Sequence, residues 1–261
     1  MKTVVITGAS SGIGLETGEY LAKRGYKVYG LSRTAGKSNL ITYISCDVTS
    51  KEQIEKVFPL ITEDIDAVIN NAGIGIGGPV EYTSQEDLEK IINVNIIGVV
   101  NVCQVALPYL RKTKGKIINI GSVAGDMAIP FQAFYSLTKA GIGIFSEALN
   151  IETRPFGIRV TAVLPGDTKT SFTANRKKDY PEDEIYGKRA KRSLMKMEKD
   201  ELNGMPPVKV AKTIYKVLRK KKPPIRVTVG FSYKFLVFLK RLVPYRFLNY
   251  VLYKMYGGGN E

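Results

Sequence analysis

Tyr135 stands four residues ahead of Lys139 in AFYSLTKAG (133–141), and Ser122 lies thirteen residues before the tyrosine in GSVAG (121–125). A phenol, an ammonium and a hydroxyl held together can exchange the proton of a carbinol oxygen while a hydride moves at its carbon. Tyrosine, with a pKa of about 10, is too weak a base near neutrality, and lowering it to about 7 takes roughly 4 kcal/mol. One ammonium at about 4 Å supplies on the order of 4 kcal/mol at an effective dielectric near 20, which makes Lys139 of the right size. Ser122 would donate to the substrate oxygen as charge develops there. The spacing alone is no signature, because Tyr250 and Lys254 repeat it in NYVLYKMY (249–256). Context separates the two pairs. Tyr135 and Lys139 share one helix face, off an apolar stripe of Leu137, Ala140/Gly141, Ile144, Ala148 and Ile151. The second pair sits in a basic tail with no serine or strand edge behind it.

Elements that would position these groups are legible in the hydrophobic pattern. Short, nearly continuous apolar runs predict strands at 3–7, 27–31, 41–45, 66–70, 116–120, 159–164 and 225–229, as in a parallel sheet buried on both faces. Helical periodicity predicts helices at 13–24, 51–61, 84–110, 132–153 and 208–221 between them. This alternation predicts an α/β fold, a doubly wound Rossmann-type parallel sheet of about seven strands with helices on both faces. The link from residue 32 to residue 40 is too short for a crossover helix. At 261 residues and 44% hydrophobic content the chain (1–261) reads as a single domain. Ligands bind beyond the carboxyl ends of strands in such sheets, and TGASSGIG (7–14), NNAG (70–73), GSVAG and LPGDTKT (164–170) all fall at that rim.

VVITGASSGIG (4–14) reads as strand, glycine turn and helix start. Gly8, Gly12 and Gly14 would let a diphosphate approach the backbone, with the helix N-terminus near Ile13 presenting unpaired N–H groups. An ordinary turn in which Ser10 or Ser11 caps the helix is the alternative. Strand two ends YGLSRT (29–34), where an NAD site carries an acid for the ribose 2′-hydroxyl. Arg33 stands there instead and suits a 2′-phosphate, so NADP(H) is favoured over NAD. Asp47 either accepts from the adenine amino group or caps the helix near Lys51.

With these motifs in order, and with VNIIG (94–98) between NNAG and GSVAG, the sequence resembles a short-chain dehydrogenase/reductase, strongly over residues 1–170 and weakly beyond. The resemblance implies a catalytic tetrad of Asn95, Ser122, Tyr135 and Lys139. Lys139 would also hold the nicotinamide ribose, and Asn95 would position a water linking the lysine to solvent. It places the cofactor against Gly8, Ser10, Ser11, Gly12, Ile13, Gly14, Arg33, Asp47, Val48, Asn71, Ala72, Gly73, Tyr135, Lys139, Pro165, Gly166, Thr168 and Thr170. The two threonines would hold its carboxamide, although Thr168 departs from the usual aliphatic residue. A substrate loop is expected at about 171–206, and NGMPPVKVAK (203–212) and RVTVG (226–230) are similar to the 17β-hydroxysteroid dehydrogenase-like branch.

The implied enzyme is therefore an NADP-dependent oxidoreductase acting on a secondary alcohol or ketone, with a hydrophobic steroid, retinoid or lipid carbonyl as substrate. Small ketones or sugar derivatives, or a non-catalytic NADP-binding regulator, are the alternatives. Gly141 and Gly143 inside a helix cost about 1 kcal/mol each, so something must approach closely there. By resemblance that is a second copy, giving a homodimer or homotetramer.

The chain has no histidine and two cysteines, which excludes the usual zinc constellations and a disulfide framework, so no metal is expected. The apolar start is too short for a secretory signal, predicting a cytoplasmic protein. Residues 1–175 hold 17 Lys+Arg against 16 Asp+Glu, whereas 176–261 hold 22 against 8. The basic excess thus belongs to the last third, where no nucleic-acid motif accompanies it, and no nucleic-acid partner is expected. The segment at about 231–256 alternates apolar residues with Lys and Arg, in runs too short to span a bilayer. It either covers the pocket or a neighbouring subunit, or lies peripherally on an anionic membrane surface.

Overall fold

The computed structural model describes residues 1–178 and 185–257. Seven strands form one parallel sheet: β1 (Lys2–Thr7), β2 (Tyr26–Ser32), β3 (Thr42–Ser45), β4 (Ile65–Asn70), β5 (Lys116–Ile120), β6 (Arg159–Pro165) and β7 (Arg226–Val229), in the order β3-β2-β1-β4-β5-β6-β7. The order reverses direction between β1 and β4, so the crevice for a ligand opens above that pair. Successive residues of β1 go to opposite sides, Val5 to one core and Val4 and Ile6 to the other. This explains why the strand reads as an unbroken apolar run.

Two cores follow. On one face lie α2 (Lys51–Val57), α3 (Gln85–Thr113) and α4 (Ala133–Thr153), burying Ile54, Val102, Leu110, Ile142 and Leu149. On the other lie α1 (Gly12–Ala22) and α6 (Val208–Arg219), burying Leu21, Val210, Ile214 and Val217. Ser50 and Ser84 cap α2 and α3, accepting from the amides of Gln53 and Asp87 at 3.3 and 3.2 Å. The connection after β2 contains no helix, as its length required. Helix α3 carries a π turn at Asn93–Ile97, a local widening that recurs at functional sites.

Beyond a four-residue turn at Phe172–Asn175, three longer helices belong to the segments that the hydrophobic pattern left open. Helix α5 (Gly187–Leu202) lies in the expected substrate loop, while α7 (Phe231–Lys240) and α8 (Tyr245–Leu252) form the tail. Part of that loop, 179–184, lies outside the described residues, as do tail residues beyond 257. A two-residue parallel ladder, Ile76–Gly77 with Lys177–Lys178, ties the loop to the segment after β4.

Helix α4 differs in two respects from its sequence reading. The stripe of Leu137, Ile144 and Ile151 faces outward, 57–71% exposed, whereas the buried side carries Thr138, Lys139, Ile142 and Ser146. Its two glycines are accounted for within the chain. A methyl on Gly143 would lie 2.6 Å from the Arg226 guanidinium, and one on Gly141 would lie 3.3 Å from Ile96. Within the chain a guanidinium and an isoleucine make this close approach.

Candidate active site

The glycine turn after β1 is held by its neighbour strand. Thr7 Oγ1 accepts from the amides of Asn71 and Ala72 at 3.0 and 3.1 Å, and Asn71 Nδ2 donates to the carbonyls of Thr7 and Gly8 at 3.1 and 3.0 Å. Gly8 and Gly12 have φ of +64° and +54°, a region that disfavours side chains. A methyl on Gly14 would sit 2.3 Å from the Gly8 carbonyl oxygen, so this glycine lets α1 start directly beneath the turn. Ser11 occupies the N-cap position without a side-chain capping bond. The first amides of α1 therefore have no internal acceptor and suit a phosphate, which is the fit expected for a dinucleotide.

Across the rim, Ser122 follows β5 and its hydroxyl accepts from the Ala124 amide at 3.0 Å, closing a short helical turn at Val123–Gly125. That turn packs on α4 so tightly that a methyl on Gly125 would lie 2.6 Å from the Lys139 carbonyl carbon. Gly125 thus sets the distance between the strand bearing Ser122 and the helix bearing Tyr135 and Lys139. Behind them, Arg226 pairs with Asp126 at 2.9 Å and with Glu147, linking β7, the turn and α4.

Ser122 stands beside Tyr135, and Phe172 lies against the tyrosine ring with centroids 5.6 Å apart. Lys139 is buried and donates to the Ile120 carbonyl at 2.9 Å. Burial lowers Lys139 from the usual lysine range to about 8. Burial likewise pushes Tyr135 up to about 12, with the Ser122 hydroxyl and the Arg176 charge opposing it and Glu201 and Asp167 adding to it. The lysine lies 5.7 Å from the tyrosine ring centroid. Burial is thus the largest influence on the phenol in the chain alone.

One cavity of about 1080 Å³ joins these parts. Its wall includes Gly8, Ser10, Ser11, Gly12, Ile13, Arg33, Asp47, Val48, Asn71, Ala72, Gly73, Ser122, Tyr135, Lys139, Pro165, Gly166, Thr168 and Thr170. Two residues expected at the site stand behind that wall. Gly14 lies under the turn. Asn95, in the π turn, accepts from the Ile74 amide at 2.9 Å and donates to the Ile74 carbonyl and Thr138 at 3.0 and 3.1 Å. A methyl on Gly73 would lie 3.3 Å from Asn95 Oδ1 and 3.5 Å from Lys139 Nζ, so both polar groups converge on the space this glycine leaves.

Asp47 caps no helix. Its Oδ1 accepts from the amide and hydroxyl of Thr49 at 2.9 and 2.8 Å, while Ser50 takes the cap. The Thr168 hydroxyl donates to the Gly166 carbonyl, and the Thr170 side chain lies against Gly12.

Several wall residues were not anticipated. Lys37 joins Arg33 beyond β2, a signal present in the sequence as a second cation four residues on. Asp167 accepts from Tyr233 of α7 at 2.6 Å, and the Tyr233 ring covers Gly166. Glu201 of α5 pairs with the buried Arg176 and accepts from Thr173 at 2.6 Å. These last contacts join residues 25 to 66 positions apart, with no motif to announce them.

The family profile described as short chain dehydrogenase matches residues 2–181. The chain belongs to the short-chain dehydrogenase/reductase family. This short-chain dehydrogenase is 42% identical over 236 residues to the 3-ketodihydrosphingosine reductase of Bacteroides thetaiotaomicron, covering 88% of each chain. It is 31% identical to the NADPH-dependent 1-acyldihydroxyacetone phosphate reductase of Saccharomyces cerevisiae, over 98% of this chain and 91% of that one. The solved short-chain dehydrogenase from Streptomyces avermitilis superposes with a TM-score of 0.79 at 28% identity, covering 92% and 93% of the two chains. The protein is thus an oxidoreductase of a family that binds NAD(P).

Proposed function

We propose that this short-chain dehydrogenase reduces the ketone of a long-chain, lipid-like substrate with NADPH. The observation that carries this reading is the continuity of the cavity. It runs from the glycine turn and Arg33, past Ser122 and Tyr135, to the apolar side chains of Leu236, Leu248, Val251 and Leu252 in the tail. A dinucleotide and an aliphatic chain can therefore share one cavity that has Tyr135 on its wall.

Bound NADPH supplies the hydride. The uncapped amides of α1 would hold its diphosphate, and Arg33 with Lys37 would take the 2′-phosphate, with no acid after β2 to oppose one. Thr168 and Thr170, on the same wall, would hold the carboxamide, as the resemblance implies. Ser122 donates to the ketone oxygen as charge builds there. Tyr135, kept protonated by burial, gives its proton to the forming alkoxide. Lys139, charged below about pH 8, attracts negative charge towards this end of the cleft. The space beside Gly73 lets Asn95 and Lys139 share a water that returns the proton from solvent, the roles the resemblance implies for both.

The names of the two relatives favour a sphingoid or acyl-lipid ketone over a steroid or retinoid. In this reading the chain works as one domain, with the tail helices closing the same cavity. The outward stripe of Leu137, Ile144 and Ile151 meets a second copy, in keeping with the dimer or tetramer expected from the resemblance.

The test is oxidation of NADPH and of NADH with a panel containing a long-chain 3-keto amine, an acyl dihydroxyacetone phosphate, a steroid ketone and a short ketone. Turnover of the long-chain lipids with NADPH, at a kcat/KM at least about tenfold above that with NADH, is expected, since a charge-assisted contact to the 2′-phosphate is worth about 2 kcal/mol. Preference for NADH, or for the short ketone, would overturn the reading.

A further inference from the structure

Helices α7 and α8 carry apolar residues on two sides. Inward, Leu248, Val251 and Leu252 wall the cavity, and Tyr233 anchors α7 through its hydrogen bond to Asp167. Outward, Phe231, Phe235 and Phe238 follow the i, i+4, i+7 row of one helix face, continued by Leu242 just past its end. With Tyr245 and Phe247 at the start of α8, these side chains are 57–89% exposed. So dense a group of exposed large apolar residues marks an interaction surface.

Its charge selects the partner. Residues 231–257 contain five Lys+Arg and no Asp or Glu. Lys240 bonds to the Asp126 carbonyl, whereas Lys234, Arg241, Arg246 and Lys254 are exposed among the aromatic residues. A second copy meeting this face through a two-fold axis would bring cation against cation. An anionic bilayer surface complements both features, since aromatic rings settle at headgroup level and Lys or Arg binds acidic lipid. Neither helix can span it. Ten and eight residues reach about 15 and 12 Å, against a hydrocarbon core of about 30 Å. Among the described residues the one helix long and apolar enough to cross is α3, which supplies the core.

We propose that α7 and α8 dock the protein on the surface of an anionic lipid bilayer, so that this helix pair alone separates the apolar end of the cavity from lipid. The docking goes beyond the proposed reaction and is read without turnover.

The experiment is flotation of the full chain with vesicles of phosphatidylcholine alone or with about 30% phosphatidylglycerol, since acidic lipid is what the exposed cations would select. Two variants outside the cavity wall are compared, Phe235→Ser with Phe238→Ser, and Arg241→Glu with Arg246→Glu. The wild type should bind the anionic vesicles at least about tenfold more tightly than neutral ones, lose most of that binding in high salt, and each variant should weaken it about tenfold or more. NADPH binding, followed by fluorescence, should be unchanged in both variants and shows that they fold. Should the phenylalanine pair disturb folding, the charge-reversed pair decides. Equal flotation of wild type and folded variants would overturn the proposal, as would self-association through this face that the phenylalanine variant abolishes while no vesicle binds.

Discussion

The rim built by residues up to 170 and the lid and tail built after it hold their side chains in different ways. On the rim, Ser122, Asn71, Asn95, Thr168 and Lys139 each bond to backbone groups at or just beyond the strand ends or in the adjoining loops. In the lid, the loop between β6 and α6, Arg176, Lys177 and Lys178 are held by the carboxylates of Glu201, Asp87 and Glu198, and in the tail Tyr233 is held by that of Asp167. Backbone groups in a parallel sheet have nowhere else to go, so a side chain bonded to them inherits the rigidity of the sheet. Ion pairs between side chains can be exchanged without disturbing the sheet. The difference teaches why the proposed chemistry is assigned to the rim and the proposed choice of substrate to the lid.

Three measurements can break or sharpen that contrast. The largest effect is expected at Tyr135. Tyr135→Phe should lower kcat by about a thousandfold while NADPH binds as before, because only proton transfer is removed. Near-normal turnover would dismiss the tyrosine from the reaction. In the lid, Glu201→Gln leaves the buried Arg176 guanidinium beside a neutral amide, and urea unfolding should show a loss of about 3 kcal/mol. A loss below about 1 kcal/mol would mean that the lid pairs are no stronger than exposed ones.

The smallest effect is one of pH. Lys139 has its pKa lowered, so it is an ammonium below about 8 and neutral above, while Tyr135, raised to about 12, stays protonated across the same range. Reduction should therefore be level up to about pH 8 and fall by up to about tenfold per unit above it. A rate still rising at pH 9 would exclude Lys139 as the titrating group.

Much of the rim was legible before any coordinates. Strand runs, the glycine turn and the Ser122, Tyr135 and Lys139 trio are local patterns, and the rule that ligands bind at strand ends brings them together. Helix α4 shows where such reading stops. Its Tyr135 and Lys139 do share the working face, yet the stripe beside them faces outward and Gly143 answers to Arg226, 83 positions away in the chain. The lid pairing of Arg176 with Glu201 had no signal either, since two ordinary charges 25 residues apart carry no period.

From its own order of residues this protein determined a doubly wound sheet, a cofactor turn with Arg33 in place of an acid, and a phenol–ammonium–hydroxyl set at one edge. Those features depend on local periodicity and on backbone conformations that few residues adopt. Tertiary structure alone decided that Tyr135 is buried with its pKa raised, that Asn95 stands behind Gly73, and that the basic tail walls the cavity while exposing an aromatic face. Desolvation and close approach depend on what the rest of the chain brings near, and that is not written at any one position.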